Sequence, residues 1–129
     1  MIKREATSCA IYKLVGKEAV PVETRGSPDW FKAVMVLEEG RNRVCRDTVD
    51  DVTENGSITI DVSTVFLALD HSFGRAGPPL LFETMVFGGK LDGEQERCAT
   101  WDEAEKMHAK YLARVLATVS PNAKSRSMT

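Results

Sequence analysis

Apolar and polar positions are most strongly patterned between Ser57 and Gly89, where two runs stand out. Ile58 to Leu69 is rich in Val, Ile, Thr and Phe, and Leu80 to Phe87 is similar. Between them lies SFGRAGPP, with two Gly and two Pro, so the pattern predicts two strands joined by a loop. A connection of about eight residues permits an antiparallel pair, whereas a parallel crossover needs a dozen or more. Alternation places Val62, Thr64, Phe66, Ala68 and Asp70 on one face, and Ser63, Val65, Leu67, Leu69 and His71 on the other. Both faces are mainly apolar, which predicts a central strand covered on both sides. Pairing His71 with Leu80 sets Glu83 opposite Ala68, on the face of Asp70. A slip of one residue moves Glu83 to the His71 face, and the register stays open.

Upstream, Ala10 to Leu14 reads as a short strand that Gly16 and Lys17 turn into a second, Ala19 to Val22, which Pro21 confines to an edge. Ser27-Pro28-Asp29-Trp30 carries a helix start, with Ser as N-cap and Pro at the first helical position. A helix over residues 28–39 follows, with Trp30, Val34 and Leu37 in a stripe and Gly40 as its stop; a strand through Ala33 to Leu37 is the rival. Arg41 to Val49 reads as a strand, and DDVTENG as the turn into the central strand, with Asn55-Gly56 a strong hairpin signal. Gln95 to Ala99 reads as a short last strand. Thr100-Trp101-Asp102-Glu103 then matches a capping box. Behind it Trp101, Ala104, Met107, Tyr111, Leu112 and Val115 fall at helical spacing. Pro121 ends that helix, and residues 1–8 and 119–129 read as loose tails on one domain spanning 1–129.

A formal net charge of -2 offers no global attraction to nucleic acid or acidic membranes. Cys9, Cys45 and Cys98 are odd in number and lack any CxxC pair, so spacing suggests neither a disulfide framework nor a zinc site, and no cofactor is called for. No run approaches the roughly 18 apolar residues that span a bilayer, and MIKREATSCAIYKL has no segment suited to a signal peptide. The expected setting is the cytoplasm.

Asp70-His71 ends an apolar strand beside a Gly-rich loop, a place where sites are displayed. With Glu83 and His108 these residues are candidates for metal ligation or acid/base work. They have no family-type spacing, and Asp-His pairs also cap loops by binding backbone amides. His108 falls on the core-facing stripe of the last helix, as a core histidine with satisfied nitrogens would. FGRAGPP lacks the GK[ST] ending of a phosphate loop. Arg41, Arg43 and Arg46 form a small basic cluster without aromatic neighbours for base stacking. Asp50, Asp51, Glu54, Asp92, Glu94 and Glu96 form an acidic set suited to a basic partner surface.

VSTVFLALDHSFGRAGPPLLFETMVFGG, continuing through LDGEQERCATWDEAEKMHA, resembles a family of small uncharacterised bacteriophage and prophage proteins. Tyr12, Gly16, Pro21 and Trp30 fit its looser N-terminal part. The chain departs from that pattern at Cys98, where an aromatic is expected, and at Ala68, where Gly is expected. The resemblance implies an origin in a mobile element and a bacterial host cytoplasm, and it brings no activity.

The expected fold is α+β: an antiparallel sheet of four to six strands with the C-terminal helix on one face and a shorter N-terminal helix. The expected function is a non-enzymatic, phage-derived accessory protein that binds a protein or nucleoprotein complex of the host, such as an anti-CRISPR-like inhibitor of a defence system. The alternatives are a small metal-assisted hydrolase using Asp70, His71 and Glu83, and a nucleic-acid-binding protein using the arginines. Membrane association is not expected, and homodimerisation stays open.

Overall fold

A computed structural model describes residues 11–22, 42–70, 72 and 76–128. The segment expected to be the N-terminal helix, together with His71 and Arg41, lies outside these described residues. Strands β1 (Ile11–Val15) and β2 (Glu18–Val22) pair antiparallel through a tight turn at Gly16-Lys17, with Val15 opposite Glu18. Pro21 is accommodated because each strand of a two-stranded sheet is an edge.

The main sheet comprises β3 (Arg43–Thr53), β4 (Gly56–Phe66), β5 (Phe82–Phe87), β6 (Gln95–Cys98) and β7 (Lys124–Met128). All neighbours are antiparallel and the order is β6-β5-β4-β3-β7, which puts β4 at the centre. The hairpin turn is tighter than DDVTENG suggests. Asp50 and Asp51 continue β3, and only Glu54 and Asn55 lie between its end and Gly56.

β4 stops at Phe66 although the apolar run continues to Leu69. Ala68 takes φ 63, the left-handed region that side chains resist, and the chain leaves the sheet there. Asn42 holds this exit: its side-chain amide donates to the Phe66 carbonyl at 2.8 Å, and its own carbonyl accepts from Phe66 N at 2.7 Å. Ala68 then accepts from Tyr12 N at 2.7 Å, and Leu69 bridges to Ile11, which docks the small hairpin on the main sheet.

Helix α1 (Trp101–Leu116) begins with the predicted capping box. Thr100 Oγ1 accepts from Glu103 N at 3.1 Å, and Glu103 Oε1 accepts from Thr100 N at 3.1 Å. Its buried face, made of Ala104, Met107, His108, Tyr111 and Val115, covers one face of the main sheet. There Val49, Ile60, Val62 and Val86 are almost fully buried with Met107, Tyr111 and Val115. A second cluster joins Phe66, Ala68, Leu81, Phe82 and Ala104 to Tyr12 and Trp101. Each fully buried large side chain contributes about 1.5–3 kcal/mol.

The opposite face of β4 is only half-buried at Asp61, Ser63 and Val65, so the central strand is not covered equally on its two sides. Ion pairs cross that face, Arg46 to Asp61 at 3.1 Å and Arg97 to Glu83 at 2.9 Å.

The C-terminal segment corrects the expectation of a loose tail, since residues 124–128 are β7, paired with β3 from Arg46–Met128 to Asp50–Lys124. Its polar composition hid it, because an edge strand is held by main-chain hydrogen bonds and needs few apolar residues. Ser120 also anchors the segment to buried Asp51, its Oγ donating to Oδ1 at 2.5 Å and its N to Oδ2 at 3.2 Å.

Candidate functional site

Among the described residues, two of those proposed from sequence for acid/base or metal work, Glu83 and His108, lie on opposite faces of the sheet. Phe66 pairs with Phe82, which puts Glu83 opposite Val65, on the sheet face turned away from α1. There it is the ion-pair partner of Arg97. His108 lies on the other side of the sheet, under the helix. Asp70 is buried, and its Oδ1 accepts from Ser72 N at 2.8 Å and Leu80 N at 3.0 Å. It therefore closes the loop between β4 and β5, the amide-capping role an Asp at a strand end commonly takes.

A different set gathers around His108. Thr64 and Thr84 face each other across β4 and β5, and Cys45 faces Thr64 from β3, so these three form one cross-strand row. Asp47, two residues after Cys45, shares its face. His108 comes down from the helix onto this row. Its Nδ1 is 2.7 Å from Thr64 Oγ1, its Nε2 is 2.6 Å from Asp47 Oδ2, and Thr64 Oγ1 is 2.5 Å from Thr84 Oγ1. Cys45 Sγ donates to Asp47 Oδ2 at 3.7 Å.

All four members of the Asp-His-Thr-Thr chain are buried, the two threonines completely, while Cys45 is half-buried. With Asp47 ionised, His108 Nε2–H donates to Asp47, Thr64 donates to Nδ1 and Thr84 donates to Thr64, an arrangement in which every donor points at an acceptor. Burial and the neighbouring Asp47 push the Cys45 thiol up, and burial pushes Cys98 up to about 11, so both stay protonated near neutrality. The row offers no activated nucleophile. Cys45, Asp47 and His108 do present three potential metal-ligand atoms within 4.8 Å of one another. Sequence spacing hid this group because its members come from β3 and α1, far apart in the chain. The one legible sign was His108 on the core-facing stripe, which requires a polar partner across from it.

The acidic set is largely engaged internally. Asp51 is buried against Ser120, and Asp92 Oδ1 accepts from Gly88 N at 2.7 Å. Asp50 pairs with Arg126, Glu94 with Arg114, and Glu96 with Lys110 while also accepting from Tyr111. Glu54 is exposed at the hairpin tip. Of the arginines, Arg43 is exposed and Arg46 is paired with Asp61.

A cleft of about 620 Å³ opens between the β1–β2 hairpin and the start of α1. Tyr12, Phe82 and Trp101 supply aromatic walls, Pro78 and Pro79 close one side, and Lys17, Glu18 and Asp102 bring charge to it. The Lys17 ammonium lies 5.9 Å from the Trp101 ring centroid, and Phe82 meets Trp101 edge-on at 6.2 Å. Among the described residues, Trp101 Nε1 is a buried side-chain donor without a hydrogen-bond partner.

No family model, curated protein or solved structure matches this chain.

Proposed function

We propose that this chain is a non-enzymatic accessory protein of phage origin that binds a protein or nucleoprotein complex of the bacterial host, an inhibitor of a defence complex being the specific form. The aromatic cleft between the hairpin and the helix start carries this reading. Its size falls in the range of ligand clefts, and its walls combine aromatic surface with a few polar groups. The occupant is an extended peptide segment bearing a basic residue. Its apolar part lies against Tyr12 and Trp101, its basic group meets Glu18 and Asp102, and a backbone carbonyl satisfies the Trp101 indole N–H. Leaving that donor unpaired costs about 1–3 kcal/mol in the free protein. The cleft replaces the acidic surface in this reading, because most of those carboxylates already hold internal partners.

The test is affinity capture of the tagged full chain from a bacterial host lysate, with Glu18→Lys and Asp102→Lys variants and Glu54→Lys as a control. A stoichiometric partner lost from the cleft variants and kept by Glu54→Lys supports the reading. A partner kept by both cleft variants and lost from Glu54→Lys returns recognition to the acidic hairpin turn. A complex that weakens steeply with salt and vanishes on nuclease treatment places the arginines in contact with nucleic acid instead.

A further inference from the structure

We propose that Cys45, Asp47 and His108 form a binding site for a zinc-class divalent cation, with Cys45 Sγ, an Asp47 carboxylate oxygen and His108 Nε2 as ligands. The site is independent of the peptide cleft and needs no partner. Two of the ligands come from one face of β3, where residues two apart point the same way, and the third from the buried face of α1. A tetrahedral zinc ion with bonds of about 2.0–2.3 Å holds its ligand atoms about 3.3–3.6 Å apart. Cys45 Sγ and Asp47 Oδ2, at 3.7 Å, are already near that spacing. Asp47 Oδ2 and His108 Nε2, at 2.6 Å, share a hydrogen bond, so the ion enters by opening this pair by roughly 0.7 Å.

The donor set selects the metal class. One sulfur, one imidazole nitrogen and one carboxylate oxygen suit zinc and its near neighbours, whereas calcium and magnesium take oxygen ligands. Charge also fits: thiolate and carboxylate together carry two negative charges against the ion's two positive ones. Glu105 adds further negative potential beside the thiol. Half-buried Cys45 provides the entry side, and a fourth coordination position is left for water or a partner's ligand.

The two threonines complete the site from behind. A metal-bound histidine commonly donates its other N–H to an oriented acceptor, and Thr64 Oγ1 stands at 2.7 Å from Nδ1. Without metal, the proton sits on Nε2 and the hydroxyls donate toward the ring. On binding, it moves to Nδ1, which donates to Thr64, and Thr64 donates to Thr84. Each hydroxyl can donate or accept, so the chain reverses without breaking. The Cys45 S–H bond is replaced by a metal–sulfur bond, and its proton leaves to solvent.

The experiment titrates the purified, chelator-treated full chain with Zn2+ by calorimetry in two buffers of different ionisation enthalpy, and with Co2+ by absorption. The expected result is one ion per chain, close to one proton released, and a thiolate-to-cobalt charge-transfer band in the near ultraviolet. Cys45→Ser abolishes the band, Cys98→Ser keeps it, and Thr64→Val weakens affinity by about 10–100-fold. Circular dichroism confirms that each variant is folded. The absence of stoichiometric binding to the wild-type chain, or a band that survives Cys45→Ser, overturns the proposal.

Discussion

Removing either side of the Asp47–His108 contact should cost far more than removing both. In metal-free protein, Asp47→Val leaves the buried Nε2–H of His108 without an acceptor, a loss of about 1–3 kcal/mol. His108→Leu strands the Asp47 carboxylate, a group that is 8% exposed and keeps the weak Cys45 thiol donor at 3.7 Å. Leaving a buried charge uncompensated in this way costs about 3–5 kcal/mol. The double variant exchanges both groups for apolar ones among Val62, Val86 and Met107, an exchange that is often nearly neutral. The coupling energy across the cycle, the sum of the two single losses less the nearly neutral double change, should therefore be about 4–8 kcal/mol in favour of the pair. Urea denaturation of the four forms reads it directly, since slopes of about 1–3 kcal/mol per M turn such differences into midpoint shifts of about 1 M or more. A coupling below about 0.5 kcal/mol would mean the two groups act independently, and the account of the buried chain would fall.

Thr100→Ala should lower stability by about 1 kcal/mol, and Glu103→Ala by a comparable or smaller amount with little added in the double variant, because the two hydrogen bonds make one reciprocal cap. Thermal unfolding checks this. Gly88→Ala should cost more than about 2 kcal/mol, because Gly88 has φ 98 and an added Cβ would stand 2.7 Å from the Thr59 carbonyl oxygen. Gly16→Ala, with open space around it, should cost only about 1 kcal/mol, so equal losses at the two sites would refute the steric explanation. Asp61 supplies a pH test. Burial raises its carboxyl, but hydrogen bonds from Thr48 and Arg46 outweigh this and hold it below the usual range. Its contribution is thus full above the unfolded value of about 3.9 and is lost as pH falls through the lowered folded value. Asp61→Asn should flatten the acid limb of a plot of urea midpoint against pH, and an unchanged limb would exclude the bond as its source.

Signals contained within a few residues were legible. Thr100 and Glu103 announce the helix, Gly16-Lys17 and the Asn55 turn join strands that follow one another, and Val, Ile and Phe mark β4 and β5. Three features needed the whole molecule. Glu83 could join Asp70 or His71 until the pairing of Phe66 with Phe82 chose the face, because a side-chain period of two makes neighbouring registers equally regular on paper. KSRSM has no apolar signature and became a strand only because β3 offered an unpaired edge. The meeting of Cys45 and Asp47 with His108 depends on how α1 crosses the sheet. Helix periodicity says which face of α1 is buried, but the residues opposite that face are decided by packing between elements distant in the chain.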